Sequence, residues 1–311
     1  MAILVAADFD AAEWAAWWPL LQKALPAEQL VRDRDAAPTD TIDVALVANP
    51  SPGSLRDLPG LRLIQSLWAG VDRLLADPGV PAQVPLARMV DPAMNEAMAQ
   101  TALWAVLSLQ RGFFGYAAQQ RAGVWRALPL RRADETTIAV LGFGQMGRAA
   151  AQRLARHGYR VLGWSRHAVS VAGVQVRSGA DALPKVLAQA QIVVNLLPLT
   201  PATRGLFDAA TLAQLPRGAS LVNLARGAHV VEADLLAALD AGHLHHAVLD
   251  VFATEPLPSA HAFWLHPSVT VLPHVAAPTD PRSAAPIAAR NVRALRAGQP
   301  LEHLVDRGRG Y

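Results

Sequence analysis

Six residues, Gly142-Phe143-Gly144-Gln145-Met146-Gly147, constrain this chain more than any other feature. They follow a short apolar run at 137–141 and open a helically spaced segment at 147–157 that stops at Gly158. A strand, a glycine turn and a helix in that order leave unpaired N–H groups at the helix N-terminus, facing whatever lies over the turn. The first glycine allows the tight turn, the second lets a pyrophosphate approach the backbone, and the third lets helix and strand pack closely. Glycine-rich turns are common. Only the strand before and the helix after make this one a dinucleotide-phosphate site, with Gly142, Gly144, Gln145, Met146 and Gly147 as its cofactor-binding residues.

The alternation continues along the chain. Strand-like runs recur at 160–164, 192–196, 220–224, 246–250 and 269–272, with helical spacing at 181–190, 208–215 and 232–241 between them. Such a series folds as a doubly wound parallel sheet with helices on both faces, binding ligands at the carboxyl ends of its strands. Upstream, strands at 3–7, 44–48 and 63–67 suggest a smaller parallel α/β unit. A helix at 11–25 aligns Trp14, Trp17, Trp18 and Leu21 on one face, which reads as core or domain-interface packing. One long helix is expected over 95–120, then a polar connector at 130–135. A helical tail at 280–297 is able to cross back to the first unit. A chain of 311 residues fits two domains.

Composition removes several function classes. With 52% hydrophobic and 17% charged residues, the chain has ample apolar surface to bury. The net charge is only +3 and the arginines are scattered, so no nucleic acid partner is expected. The absence of cysteine excludes disulfides and thiolate chemistry and fits a reducing compartment. Asp8 and Asp10 interrupt the first apolar run, and no run approaches the ~18 residues of a membrane span. A cytoplasmic location with no membrane partner is the expectation.

Cofactor preference is set about 20 residues beyond the glycine turn, where an NAD site places an acid against the ribose 2′-hydroxyl. This chain reads Leu162-Gly163-Trp164-Ser165-Arg166-His167, with no acid. Arg166 suits a 2′-phosphate and Ser165 can donate to it, which favours NADPH, with NADH as the alternative.

Three strand ends carry residues ill suited to mere packing. They are Arg226 in Asn223-Leu224-Ala225-Arg226-Gly227, Glu255 in a Pro-stiffened loop after Asp250, and His274 in Pro273-His274-Val275. Reducing a 2-keto acid requires a proton donor for the developing alkoxide, a cation for the carboxylate, and a group that keeps the donor protonated. His274 fits the first, Arg226 the second, and Glu255 bonded to His274 the third. The adjacent His245 and His246 face opposite sides of a strand and cannot readily share an ion, so no metal is assigned.

The glycine loop, the Asn-Leu-Ala-Arg-Gly segment, Asp250-Val251-Phe252-Ala253-Thr254-Glu255-Pro256-Leu257-Pro258 and the Pro-His turn together resemble the D-2-hydroxyacid dehydrogenase family, particularly its glyoxylate/hydroxypyruvate reductase branch. The resemblance implies a Rossmann dinucleotide domain, 98–279, inserted in a smaller flavodoxin-like α/β substrate-binding domain, 1–97 plus 280–311. It implies catalytic roles for Arg226, Glu255 and His274, and places Asp250 near the nicotinamide carboxamide. Pro198, Thr200 and Thr203 would lie along the dinucleotide. Ser66-Leu67-Trp68-Ala69-Gly70-Val71-Asp72 resembles a turn whose backbone N–H groups hold the substrate carboxylate, at Ala69 and Gly70, with Trp68 beside them as a substrate-site residue. The Trp68 indole either narrows that pocket toward two- or three-carbon acids or only packs. A homodimer through the dinucleotide domain and the 95–120 helix is implied as well. The competing readings are a dehydrogenase for a larger 2-hydroxy acid and a non-catalytic dinucleotide-sensing protein. A phosphorylated substrate would want further cations near the Ala69–Gly70 turn, where only Arg73 is obvious.

Overall fold

Strands that are apolar along their whole length need cover on both faces, and the central strands of both sheets are of that kind. The computed structural model describes residues 1–311, which divide into two units. Met1–Ala93 with Thr279–Tyr311 form one and Met94–Pro278 the other.

The first unit runs β1 (Ala2–Ala7), α1 (Ala11–Ala24), β2 (Gln29–Val31), β3 (Ile42–Ala48), β4 (Leu63–Ser66), α2 (Asp72–Ala76) and β5 (Leu86–Ala87). All its strand pairings are parallel, in the order β2-β1-β3-β4-β5, the flavodoxin-like arrangement. Helix α1 starts at a capping box in which Asp10 accepts from the Glu13 N–H and the Glu13 side chain accepts from the Asp10 N–H. Trp17 and Leu21 are buried, whereas Trp14 and Trp18 are half-buried. The Arg32 guanidinium lies 4.6 and 4.2 Å from those two ring centroids.

The second unit begins within α3 (Pro92–Gln110), followed by α4 (Phe113–Arg121), β6 (Thr137–Leu141), α5 (Gln145–Arg156), β7 (Arg160–Ser165) and β8 (Gln175–Ser178). It continues through α6 (Leu183–Leu187), β9 (Ile192–Asn195), α7 (Ala209–Leu212), β10 (Ala219–Asn223), α8 (Glu232–Asp240), β11 (Leu244–Leu249) and β12 (Val269–Val271). The seven parallel strands lie in the order β12-β11-β10-β9-β6-β7-β8. One apolar cluster covers a face with residues of α3 and α5, and another covers the opposite face with residues of α6, α7 and α8. The chain reverses its winding between β6 and β9, which opens a crevice at their carboxyl ends.

The single helix expected over 95–120 is instead two. Gly112 adopts φ 69°, a left-handed conformation that ends one helix and starts another in a new direction.

The tail helix α9 (Pro281–Arg296) packs on α1 and returns the chain to the first unit. Arg296 binds Glu28 at 2.9 and 2.8 Å and also pairs with the buried Asp43. These partners push the Arg296 pKa up, the Glu28 bond contributing most. In the sheet core, Asn291 donates to Gln65 at 2.7 Å. No helix is long and apolar enough to cross a membrane.

Candidate active site

The glycine loop joins β6 to α5 on one side of the crevice. Gly142 takes φ 97°, and a Cβ there would fall 2.5 Å from the Leu196 carbonyl oxygen. A Cβ on Gly147 would fall 1.8 Å from the Gly142 oxygen, so this position accepts no side chain. Gly144 differs, because a Cβ there would meet nothing within 4 Å. Space within the protein therefore does not require glycine at 144. No side chain caps the α5 N-terminus, which starts at Gln145 and Met146 directly beyond Gly144. An uncapped helix end beside an open glycine is a cradle that fits a pyrophosphate.

Across the crevice, β9 runs into the Pro198–Thr203 loop. Thr203 is buried, and its hydroxyl donates to the Pro198 carbonyl at 2.7 Å and accepts from the Thr200 N–H at 2.9 Å. It shapes the loop from inside, leaving the half-buried Pro198 on the accessible side. At the end of β7 the Ser165 hydroxyl donates to the His167 carbonyl, which fixes the turn that exposes Arg166.

The residues expected to carry the acid–base chemistry come from the next three strand ends. Arg226 follows β10, and its guanidinium donates back to the Ala225 carbonyl at 2.7 Å. A Cβ on Gly227 would lie 1.8 Å from the Phe252 carbonyl carbon, so this glycine packs the Arg226 loop directly on the loop leading to Glu255. Glu255 accepts from the Phe252 N–H at 2.9 Å through one oxygen and contacts His274 Nδ1 at 2.8 Å through the other. That bond leaves Nε2 of His274 available on a side chain 51% exposed. His274 itself takes φ 56°. Asp250, at the end of β11, holds it there. Its backbone oxygen accepts the His274 N–H at 2.9 Å, and its carboxylate accepts from Val275 and Ala276 at 2.7 and 3.0 Å. Each Asp250 carboxylate oxygen thus anchors the His274 turn through one N–H.

Burial works to raise the Glu255 pKa. The His274 bond, the Phe252 N–H and the charges of His274 and Arg226 together outweigh it, so Glu255 is held below the usual carboxylate range and stays ionised. Burial raises Asp250 against the two N–H bonds that pull it down.

In the first unit, the Ser66 hydroxyl donates to the Trp68 carbonyl and accepts from its N–H, both at 3.0 Å, closing the turn at Ala69 and Gly70. The Trp68 ring meets Trp17 and Phe9 edge-on at centroid distances of 5.8 and 6.0 Å. Its orientation is therefore fixed by packing. His246 stacks on Phe114 at 4.6 Å and bonds Thr270 Oγ1 at 2.9 Å, while His245 is exposed. No group of three or more metal-ligating side chains occurs.

Residues 103–276 match the D-isomer specific 2-hydroxyacid dehydrogenase, NAD binding domain, family. The chain belongs to that family. It is 44% identical over 308 residues to a glyoxylate/hydroxypyruvate reductase A of Serratia proteamaculans, covering 97% of each chain. Its fold superposes with a TM-score of 0.94 on a D-isomer specific 2-hydroxyacid dehydrogenase from Xanthobacter autotrophicus solved with NADPH and MES. That structure is 42% identical and covers 100% of this chain and 99% of its own. An NADPH-dependent glyoxylate/hydroxypyruvate reductase from Sinorhizobium meliloti, solved with NADP and sulfate, gives a TM-score of 0.93 at 36% identity, covering 100% and 99%.

Two residues of this dehydrogenase escaped the sequence reading. Gly227 is the steric contact that joins the Arg226 and Glu255 loops, and its place directly after Arg226 was the available signal. His229 is fully buried at the centre of a polar cluster beneath both loops of the crevice. Nothing in the stretch Ala228-His229-Val230 sets it apart from an ordinary core histidine.

Proposed function

We propose that this chain reduces a small 2-keto acid, glyoxylate or hydroxypyruvate, to the 2-hydroxy acid with NADPH. The observation that carries the proposal is the Glu255–His274 pair at 2.8 Å, with the Arg226 loop packed through Gly227 on the Phe252–Ala253 backbone that leads to Glu255. Bound at the Gly144 cradle, the cofactor supplies the hydride. Arg226 binds the substrate carboxylate and polarises the keto oxygen. His274 delivers the proton from Nε2 to the developing alkoxide, because Nδ1 is engaged by Glu255. Glu255, ionised through the working pH range, stabilises the imidazolium and fixes the ring. Asp250 acts by holding the His274 turn. Trp68, Ala69 and Gly70 present the turn that receives the substrate carboxylate, with the packed indole limiting its size.

NADPH is preferred over NADH on two grounds. No acid follows β7, where Arg166 is exposed for a 2′-phosphate, and two of the similar structures carry NADPH or NADP. Pro198 lines the dinucleotide, with Thr203 supporting the loop from behind. On this reading, 1–97 plus 280–311 is the substrate-binding domain and 98–279 the dinucleotide domain. A cytoplasmic homodimer belongs to the same proposal, supported by the exposed apolar side chains of Trp104, Phe113 and Trp125 in and beyond α3 and α4.

The proposal is tested by following the near-ultraviolet absorbance of NADPH with purified protein and glyoxylate, then quantifying glycolate. Equimolar NADPH loss and glycolate gain is the expected result. Inactivity toward every short 2-keto acid, with NADPH still bound, would leave a dinucleotide-sensing protein instead.

A further inference from the structure

The crevice rests on a buried polar cluster that the proposed chemistry does not use. Asn195 ends β9, Asn223 ends β10, and His229 follows the Arg226 loop; all three are 0% exposed. Asn195 Nδ2 donates to Asn223 Oδ1 at 3.0 Å and lies 3.1 Å from His229 Nδ1. Asn195 Oδ1 accepts the Leu197 N–H at 3.3 Å, so the orientation of its amide is fixed by that bond. The Arg226 carbonyl accepts from Asn223 Nδ2 at 2.9 Å and from the His229 N–H at 3.2 Å, with His229 Nδ1 at 3.1 Å. On the other side of the ring, Nε2 lies 3.3 Å from the Pro198 carbonyl.

This bonding pattern selects one protonation state. The Asn195 amide has two N–H groups, one given to Asn223 and the other directed at His229 Nδ1. Nδ1 must then accept, and the proton resides on Nε2, where it is donated to Pro198. A proton on Nδ1 would oppose N–H to N–H inside the core, whereas the Arg226 carbonyl keeps the Asn223 donor in either case.

One ring therefore links the loop carrying the proposed substrate arginine to the loop that lines the dinucleotide. We propose that His229 is a positioning residue that keeps Arg226 and the Pro198 loop in register. The substrate carboxylate and the hydride donor thereby approach each other at a fixed separation. This inference rests on the roles given above to Arg226 and Pro198. Misplacing reactants by about 1 Å costs on the order of 100-fold in rate, which sets the expected scale.

The test compares His229→Phe, which keeps a ring but loses both bonds, with His229→Gln, whose amide oxygen can accept from Asn195 while its N–H reaches toward Pro198. Leu239→Ala, a core truncation in α8, is the stability-matched control. NADPH dissociation constants are read by fluorescence and keto-acid constants by steady-state kinetics, both normalised to active sites. His229→Phe should lower kcat/KM for glyoxylate by about 100-fold and weaken NADPH by about tenfold. His229→Gln should recover to within about threefold of wild type, and Leu239→Ala should change neither constant. If His229→Phe does not fold, His229→Asn, too short to reach Pro198, takes its place with the same expectation. The inference is overturned if the Phe or Asn variant keeps both constants within threefold of wild type, or if Gln recovers nothing. A wild-type protein that binds NADPH but reduces no keto acid would refute the proposed function instead, and the NADPH constants would still decide the role of His229.

Discussion

Replacing Gly144 by alanine separates what the fold needs from what the cofactor needs. In the free protein the new methyl would meet no atom within 4 Å, and the backbone already sits at φ −68°, open to any L-residue. Alanine also narrows the unfolded ensemble, worth about 0.4–1 kcal/mol in favour of the folded state. The Tm without cofactor should stay level or rise by about 1–4 °C. The same methyl would stand where a pyrophosphate must approach the α5 N–H groups. Charge-assisted hydrogen bonds contribute about 1.5–3 kcal/mol each. Losing the equivalent of one weakens NADPH by roughly ten- to a hundredfold. Gly147→Ala is the counterexample, since its methyl would fall 1.8 Å from a backbone oxygen and should cost folding before binding is measurable. Differential scanning fluorimetry with and without NADPH, followed by fluorescence titration, reads both quantities. A Gly144→Ala protein that binds NADPH like wild type, or melts early like Gly147→Ala, would refute the placement of the pyrophosphate.

The other predictions concern single side chains. His274→Ala should lower kcat by about 10²–10⁴-fold while the NADPH dissociation constant stays within about threefold; retained turnover would remove His274 from proton delivery. Arg166→Ala should weaken NADPH by about tenfold and leave NADH nearly unchanged, as judged by parallel titrations. Burial first, then the charges of His245 and His266, lowers the His246 pKa to about 4. The unfolded chain therefore binds a proton near pH 6.5 that the folded chain refuses, and stability falls as pH drops from about 6.5 toward 4. By about pH 5 the loss is about 2 kcal/mol, at 1.36 kcal/mol per pH unit. Urea unfolding of His246→Asn should lack this slope, and an unchanged slope would assign the acid sensitivity elsewhere.

The legibility of the chain follows from where its information lies. The strand Thr137–Leu141 was readable to the residue because an unbroken apolar run bounded by glycine has few other solutions. Arg226, Glu255 and His274 were readable as a set because parallel strands all present their carboxyl ends to one edge. The short edge strands Gln29–Val31 and Gln175–Ser178 were not, since they bury little, and Leu86–Ala87, although buried, is two residues long and shows no period. The helices expected at 181–190 and 208–215 shrink to Leu183–Leu187 and Ala209–Leu212, their flanks forming turns around Gly179 and Pro216. His229 was invisible for a different reason. Its partners Asn195 and Pro198 lie 34 and 31 residues away, and no spacing rule connects them. The motif places Thr203 and Asp250 along the cofactor, and the structure adds a second set of bonds, from each side chain to the loop it supports.

The most direct test is the steady-state kcat/KM of the wild-type protein with NADPH and with NADH against glyoxylate, hydroxypyruvate and pyruvate. Glyoxylate and hydroxypyruvate should both turn over, with NADPH ahead of NADH by about tenfold or more, the worth of one charge-assisted contact to a 2′-phosphate. Equal use of the two cofactors would contradict the role of Arg166. No reduction of any of the three acids would contradict the central claim.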